Sequence, residues 1–106
     1  MYYTYIMRCE DGSLYTGITT DVNRRFKEHQ GQRFGGAKYT KGHMPIKVEV
    51  VWKSENRSLA SKLEYRLKKL SKENKEKIIK NPKYMNELLS EKLDTQIYIL
   101  MKKDLV

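Results

Sequence analysis

Aromatic and β-branched residues fill positions 2–8 (Tyr-Tyr-Thr-Tyr-Ile-Met-Arg) and return at 13–18 (Ser-Leu-Tyr-Thr-Gly-Ile), with Glu10-Asp11-Gly12 between them. Two such runs around an acidic, glycine-ended turn predict a β-hairpin. Side chains alternate faces along a strand, so the length of the loop decides which residues face the same way. A two-residue turn at Asp11-Gly12 pairs Tyr15 with Arg8 and sets it opposite in sense to Tyr5. A three-residue loop, with Gly12 in the left-handed conformation, pairs Tyr15 with Met7 and puts both phenols on one face. A site shared by the two tyrosines requires the three-residue loop, and that register is the one expected.

Thr20 or Asp21 can cap a helix reaching about Gln30, with Val22, Phe26 and His29 as its inner stripe. Arg25 stands at i+3 from Val22 and i−4 from His29 and so leans inward, whereas Arg24 is turned about 100° away toward solvent. Residues 31–46 form a glycine-rich basic stretch containing Arg33, Lys38, Tyr39 and Lys41. The run from Lys47 to Lys53 alternates as a third strand, with Val48, Val50 and Trp52 expected on one face. Ser58 is the expected cap of a second helix whose Leu59, Leu63, Leu67 and Leu70 make an apolar stripe. Glu64 borders that stripe. Ser71 is expected to cap a third helix through about Lys80, Asn81-Pro82 breaks the chain, and Tyr84, Leu88 and Leu89 suggest another short helix. The apolar segment Thr95 to Met101 reads as either helix or strand.

The chain has 106 residues, 39% of them hydrophobic, which suits one domain with a modest core. Lys and Arg outnumber Asp and Glu by 22 to 13, a net charge of +9. The stretch 57–83 alone holds ten Lys or Arg against three Glu. Such a balance favours a polyanionic partner, nucleic acid first. An acidic membrane surface would answer the same charge, but no apolar run approaches the roughly 18 residues that span a bilayer and no charged-then-apolar leader opens the chain. A cytoplasmic protein is expected. Cys9 is the single cysteine, so neither an internal disulfide nor a zinc site of several thiolates is available.

Taken in order, Tyr5, Tyr15-Thr16-Gly17, Arg25, His29 and Glu64 resemble the GIY-YIG nuclease family. Its two name-giving tripeptides lie on the first two strands, with an arginine on the first helix and a glutamate on a later one. Here the tripeptides are Thr4-Tyr5-Ile6 and Tyr15-Thr16-Gly17, so the tyrosines and the final glycine match and the first glycine does not. The stretch 11–19, and later Ala37-Lys38-Tyr39-Thr40, looks closest to the small stand-alone bacterial branch. The resemblance covers roughly residues 2–80. It implies an α+β fold, a small three-stranded antiparallel sheet flanked by helices, over residues 1–81, with 82–106 as a C-terminal extension packed on it.

The resemblance also assigns roles. Tyr15 would orient or deprotonate the attacking water, Tyr5 would hydrogen-bond nearby, and a cationic Arg25 would favour a phenolate and stabilise charge on the phosphate. His29 would assist the water or Tyr15. Glu64 would be the one protein ligand of a Mg²⁺ or Mn²⁺ ion, which suffices because magnesium keeps several waters and takes further oxygens from the substrate. Gly17 would permit close approach, and Lys38, Tyr39 and Lys41 would hold a backbone and stack on a base. Each has a plainer reading: strand aromatics for the tyrosines, an Arg25–Glu28 salt bridge, a core-edge histidine, a Glu64–Lys68 helix pair and a solvated loop.

The expected function is a metal-dependent DNA endonuclease, structure-guided or of low sequence specificity, with RNA still open as a substrate and a repair or recombination setting in view. The alternative is a nucleic-acid binding module or adaptor with the nuclease fold and little turnover. A more distant reading makes the basic surface a docking face for an acidic protein. A monomer is favoured over a dimer, and a targeting partner would fit a domain this small.

Overall fold

The computed structural model describes residues 1–30 and 44–101. Lys38, Tyr39 and Lys41 lie outside the described residues. Strands β1 (Tyr2–Cys9) and β2 (Leu14–Thr19) form the hairpin, with Met7 opposite Tyr15 and Tyr5 opposite Gly17. Gly12 has φ 85°, where a side chain would be strained, and its N–H donates to the Cys9 carbonyl at 2.9 Å. The Cys9 N–H in turn donates to Ser13 O at 2.9 Å, closing the three-residue loop. The Asp11 carboxylate fixes the turn by accepting from Ser13 N at 3.0 Å and Ser13 Oγ at 2.6 Å.

Strand β3 (Pro45–Ser54) pairs antiparallel with the other side of β1. Its alternation is broken where Ile6 faces Val50 but Met7 faces Val48, leaving Glu49 as the extra residue of a bulge. Val48 therefore does not share a face with Val50 and Trp52 as regular alternation predicts; it packs with Tyr5, Met7 and Val51. The bulge brings Glu49 Oε2 to Arg8 Nε at 3.0 Å, and the remaining guanidinium nitrogens of Arg8 fork onto Glu76 at 2.5 and 2.6 Å. That network ties the hairpin to β3 and to a distant helix.

The sheet has four strands in the order β2-β1-β3-β4, one more than expected. β4 is only Ile99–Leu100, paired with Lys53 and Trp52 and extended by Met101 N–H donating to Val51 O at 2.8 Å. A 3-10 turn at Thr95–Ile97 precedes it, so the ambiguous segment is partly each.

Helix α1 (Val22–His29) covers one sheet face, burying Val22 and Phe26 against Tyr5, Met7, Val48 and Val51. Asp21 is its cap, accepting from Arg24 N at 3.0 Å. Helices α2 (Arg57–Lys68), α3 (Lys72–Lys80) and α4 (Tyr84–Leu89) cover the opposite face. There Leu63, Leu67, Ile78 and Met85 close over Ile6, Val50 and Trp52, each such side chain contributing about 1.5–3 kcal/mol by its removal from water. Asn56 caps α2 by accepting from Leu59 N at 2.9 Å, in place of the expected Ser58, which falls inside the first turn. Ser71 caps α3 as expected. Met85, Leu89 and Tyr98 join the same core, and the Tyr98 hydroxyl donates to Leu59 O at 2.6 Å, so residues 85–98 pack on the helices before them.

Candidate active site

The three-residue loop sends Tyr5 and Tyr15 to the α1 side of the hairpin, with ring centroids 6.1 Å apart. Tyr5 is sealed at 1% exposure, while Tyr15, at 37%, stands at the mouth. Gly17 faces Tyr5 across the ladder, and a Cβ there would lie 2.4 Å from the Tyr5 hydroxyl and 3.3 Å from the Tyr15 ring. Glycine is thus required so that both rings can crowd one strand position. From α1, His29 closes the group: its ring meets Tyr15 edge-on at 4.6 Å, and its Nε2 lies 3.4 Å from the Tyr5 hydroxyl.

Arg25 reaches the same place. Its guanidinium donates to Glu28 Oε1 at 3.1 Å, and against the effect of burial Glu28, with the nearby phenols of Tyr5 and Tyr15, holds it cationic. The salt bridge to Glu28 and the contact with the tyrosines therefore coexist. Arg24 points elsewhere, its guanidinium donating to Thr19 Oγ1 and Thr20 Oγ1 at 3.4 and 3.3 Å.

Burial dominates the protonation of the enclosed groups. The Tyr5 phenol is pushed well above its ordinary value by burial and by Tyr15, and Arg25 only partly offsets this. Tyr5 is therefore a neutral hydroxyl near pH 7, suited to hydrogen-bonding within the group. His29 is lowered to about 4 by burial, with Arg25 adding to the effect, so its imidazole is neutral near pH 7.

Glu64 belongs to the other layer. Its carboxylate pairs with Lys68 Nζ at 3.2 Å, and among the described residues no hydrogen bond or ion pair joins it to Tyr5, Tyr15, Arg25 or His29. Its position along the sheet is nonetheless favourable. Thr4 Oγ1 donates to Ala60 O at 3.1 Å. Glu64 follows Ala60 by one helical turn, ~6 Å further along the same helix. Thr16 is turned toward that layer, and its buried hydroxyl has no hydrogen-bond partner. The face of the sheet opposite the tyrosine group is the one covered by the helix that carries Glu64.

No group of three His, Cys, Asp or Glu side chains converges among the described residues. The donor set fits a hard divalent cation only in the manner of magnesium, one carboxylate with the remaining oxygens from water and a substrate phosphate. It does not fit a metal caged by protein.

A cleft of about 270 Å³ opens where the end of β2 meets the starts of α1 and α2, and Arg24, Arg25, Arg57, Glu28 and Tyr2 line it. Three guanidinium groups at one sheet edge make a cradle for phosphate oxygens. Arg57 went unnoticed in the sequence, although it stands seven residues before Glu64 and so on the same stripe of its helix.

A family model described as the GIY-YIG catalytic domain matches residues 1–77. The UPF0213 protein FN1575 of Fusobacterium nucleatum is 48% identical over 76% of this chain and 79% of its own length. The UPF0213 protein BH0048 of Halalkalibacterium halodurans is 44% identical over 74% of this chain and 81% of its own. The solution structure of BH0048, assigned to Bacillus halodurans, is 41% identical, covers 84% of this chain and 96% of its own, and has a TM-score of 0.48.

Proposed function

Because the chain belongs to the GIY-YIG family, we propose that it is a metal-dependent endonuclease acting on phosphodiester bonds in DNA, guided by structure more than by sequence. The observation that carries this reading is the convergence of Tyr5, Tyr15, Arg25 and His29 around Gly17, beside a cleft lined by arginines. Tyr15, at the mouth, orients the attacking water and, once its own hydroxyl proton has been given up to solvent, receives the water's proton. Tyr5 is a buried neutral phenol held by His29, and it positions Tyr15 and the arginine. Arg25 bonds to the non-bridging oxygens as negative charge develops there. Glu64 holds a Mg²⁺ or Mn²⁺ ion on the far side of the sheet, which requires its pair with Lys68 to yield. Bound there, such an ion would supply neutralisation of the negative charge that develops during cleavage.

Lys38, Tyr39 and Lys41 belong to this proposal as contacts to the nucleic acid beyond the cleft. Phosphate contacts outnumber base contacts in such a set, so binding falls steeply with salt and discriminates little between sequences. Residues 1–81 form the nuclease unit, with 82–106 as its extension. The protein works as a cytoplasmic monomer; among the described residues no helix is long and apolar enough to cross a membrane.

The test is cleavage of labelled duplex, branched and single-stranded DNAs and RNAs with Mg²⁺, Mn²⁺ or EDTA. Wild type should cut at least one DNA with metal and none in EDTA. Glu64→Ala should abolish cutting, and Tyr15→Phe should slow it by about 10²- to 10⁴-fold, the span of a lost general base. Equal activity in EDTA or in Glu64→Ala would end the metal mechanism. Tight binding without cleavage under every condition would make the protein a binding module instead.

A further inference from the structure

The outer side of α2 carries a second basic feature that the cleavage chemistry does not use. A groove of about 510 Å³ runs between this helix and the chain after α4, lined by Ser58, Lys62, Tyr65, Arg66, Lys92 and Leu93. Tyr65 is 54% exposed although it is a large aromatic. The Arg66 guanidinium carbon lies 5.3 Å from its ring centroid and Lys69 Nζ lies 4.9 Å from it. No acidic residue lines the groove, and among the described residues Lys62, Arg66, Lys69 and Lys92 have no carboxylate partner. Elsewhere on the helices the cations are partly matched: Lys68 with Glu64, and Arg24 and Arg25 with Glu28. A solvated helix face needs neither an exposed ring nor cations gathered around it.

We propose that this groove binds an unpaired nucleic-acid strand, with Tyr65 stacking on a base and Lys62, Arg66, Lys69 and Lys92 holding phosphates. Every base has a face that stacks on an aromatic ring, and a row of cations tracks the backbone without reading sequence. An acidic protein would meet the same charge, but it has no use for an exposed ring already flanked by cations. The groove and the phosphate cleft both open along the first turns of α2. Arg57 lines the cleft, while its neighbour Ser58 and then Ser61 line the groove. From Arg57 to Tyr65 the helix rises ~12 Å. A strand leaving the cleft past Arg57 arrives at the ring. Resting on the nuclease reading, this narrows the substrate to nucleic acids that present a single-stranded arm next to the bond that is cut.

The test measures binding in EDTA, so that it does not depend on cleavage. Fluorescence anisotropy would follow a labelled 15-nucleotide oligothymidylate and a blunt 15-base-pair duplex. Tyr65→Ala should weaken the oligothymidylate by about 5- to 30-fold, as the loss of one stacked base requires, and the duplex by less than twofold. Tyr65→Phe should retain single-strand binding. Lys62→Glu with Arg66→Glu should flatten the salt dependence for the oligothymidylate by about one to two units of slope. Equal losses for both DNAs in Tyr65→Ala would overturn the proposal. So would tighter binding to vesicles containing phosphatidylserine than to oligothymidylate. If wild type never cleaves but the Tyr65 effect appears, only the nuclease reading falls; if cleavage is normal and Tyr65→Ala binds as wild type, only this inference falls.

Discussion

Over Ile6, Val50 and Trp52 the helices α2, α3 and α4 lay a sheet of apolar side chains, Leu63, Leu67, Ile78, Met85 and Leu89 among them. Behind them, on the face of Tyr5 and Met7, the single helix α1 brings Val22 and Phe26 together with His29 and Arg25. One face is built almost wholly from groups that gain by leaving water. The other admits a phenol and an imidazole to its interior and a guanidinium to its rim, and each of these costs free energy to desolvate unless it is bonded. The strands between are the same, so the division comes from alternate residues of β1 and β2. A small domain can keep polar chemistry inside because the larger apolar face stabilises it from behind.

The sharpest way to break this division is to weaken the apolar face. Trp52, 2% exposed, should cost about 3–5 kcal/mol on replacement by alanine. Urea unfolding reads that loss, and a loss below 1 kcal/mol would mean that the face contributes far less than its burial implies. On the polar face the vulnerable position is a backbone one. In Gly17→Ala the new methyl falls on the Tyr5 hydroxyl, forcing the ring aside at about 1–3 kcal/mol of stability. Metal-dependent cutting should fall much more than stability does. A variant as active as wild type would show that the packing of the two rings is irrelevant to the site.

The third effect is one of pH. His29 titrates at about 4 when folded and near its ordinary 6.5 when unfolded. Between those values the unfolded chain takes up a proton that the folded one refuses, so stability falls as pH drops through the window, by about 1.4 kcal/mol per pH unit. His29→Gln should flatten unfolding free energies measured from pH 7 to 4. The Glu76 carboxyl, held below its usual range by Arg8, begins to lose its own contribution as pH falls through its ordinary 4.5, so it overlaps only the acid end of that window.

The hairpin register was legible because alternation and loop length are local properties, and Gly12 is the residue that a left-handed turn position demands. Arg25 could be separated from Arg24 for the same reason: helical rotation alone distinguishes them. The bulge at Glu49 was not legible. It trades a regular ladder position for ion pairs with Arg8, whose other partner, Glu76, is 68 residues from it in sequence. A strand of two residues, Ile99–Leu100, is too short to show a period. At Asn56 and Ser58 two good caps compete within three residues, and propensity does not rank them. Glu64 was legible as a border residue of its helix but not as a member of one face, since that depends on how two layers meet across the sheet.

β2 lies at an edge of the sheet, and it is the strand that carries Tyr15 and Gly17. A strand so placed offers its outer backbone to any other chain with a strand to spare, the usual beginning of aggregation. Here Arg24, Arg25 and Arg57 crowd the end of that edge with positive charge. Like charges repel, so two copies approaching edge to edge oppose one another at the place where each would otherwise begin to pair. The guanidinium groups proposed to hold phosphate thereby also oppose edge-to-edge pairing, and a variant stripped of them should be less soluble.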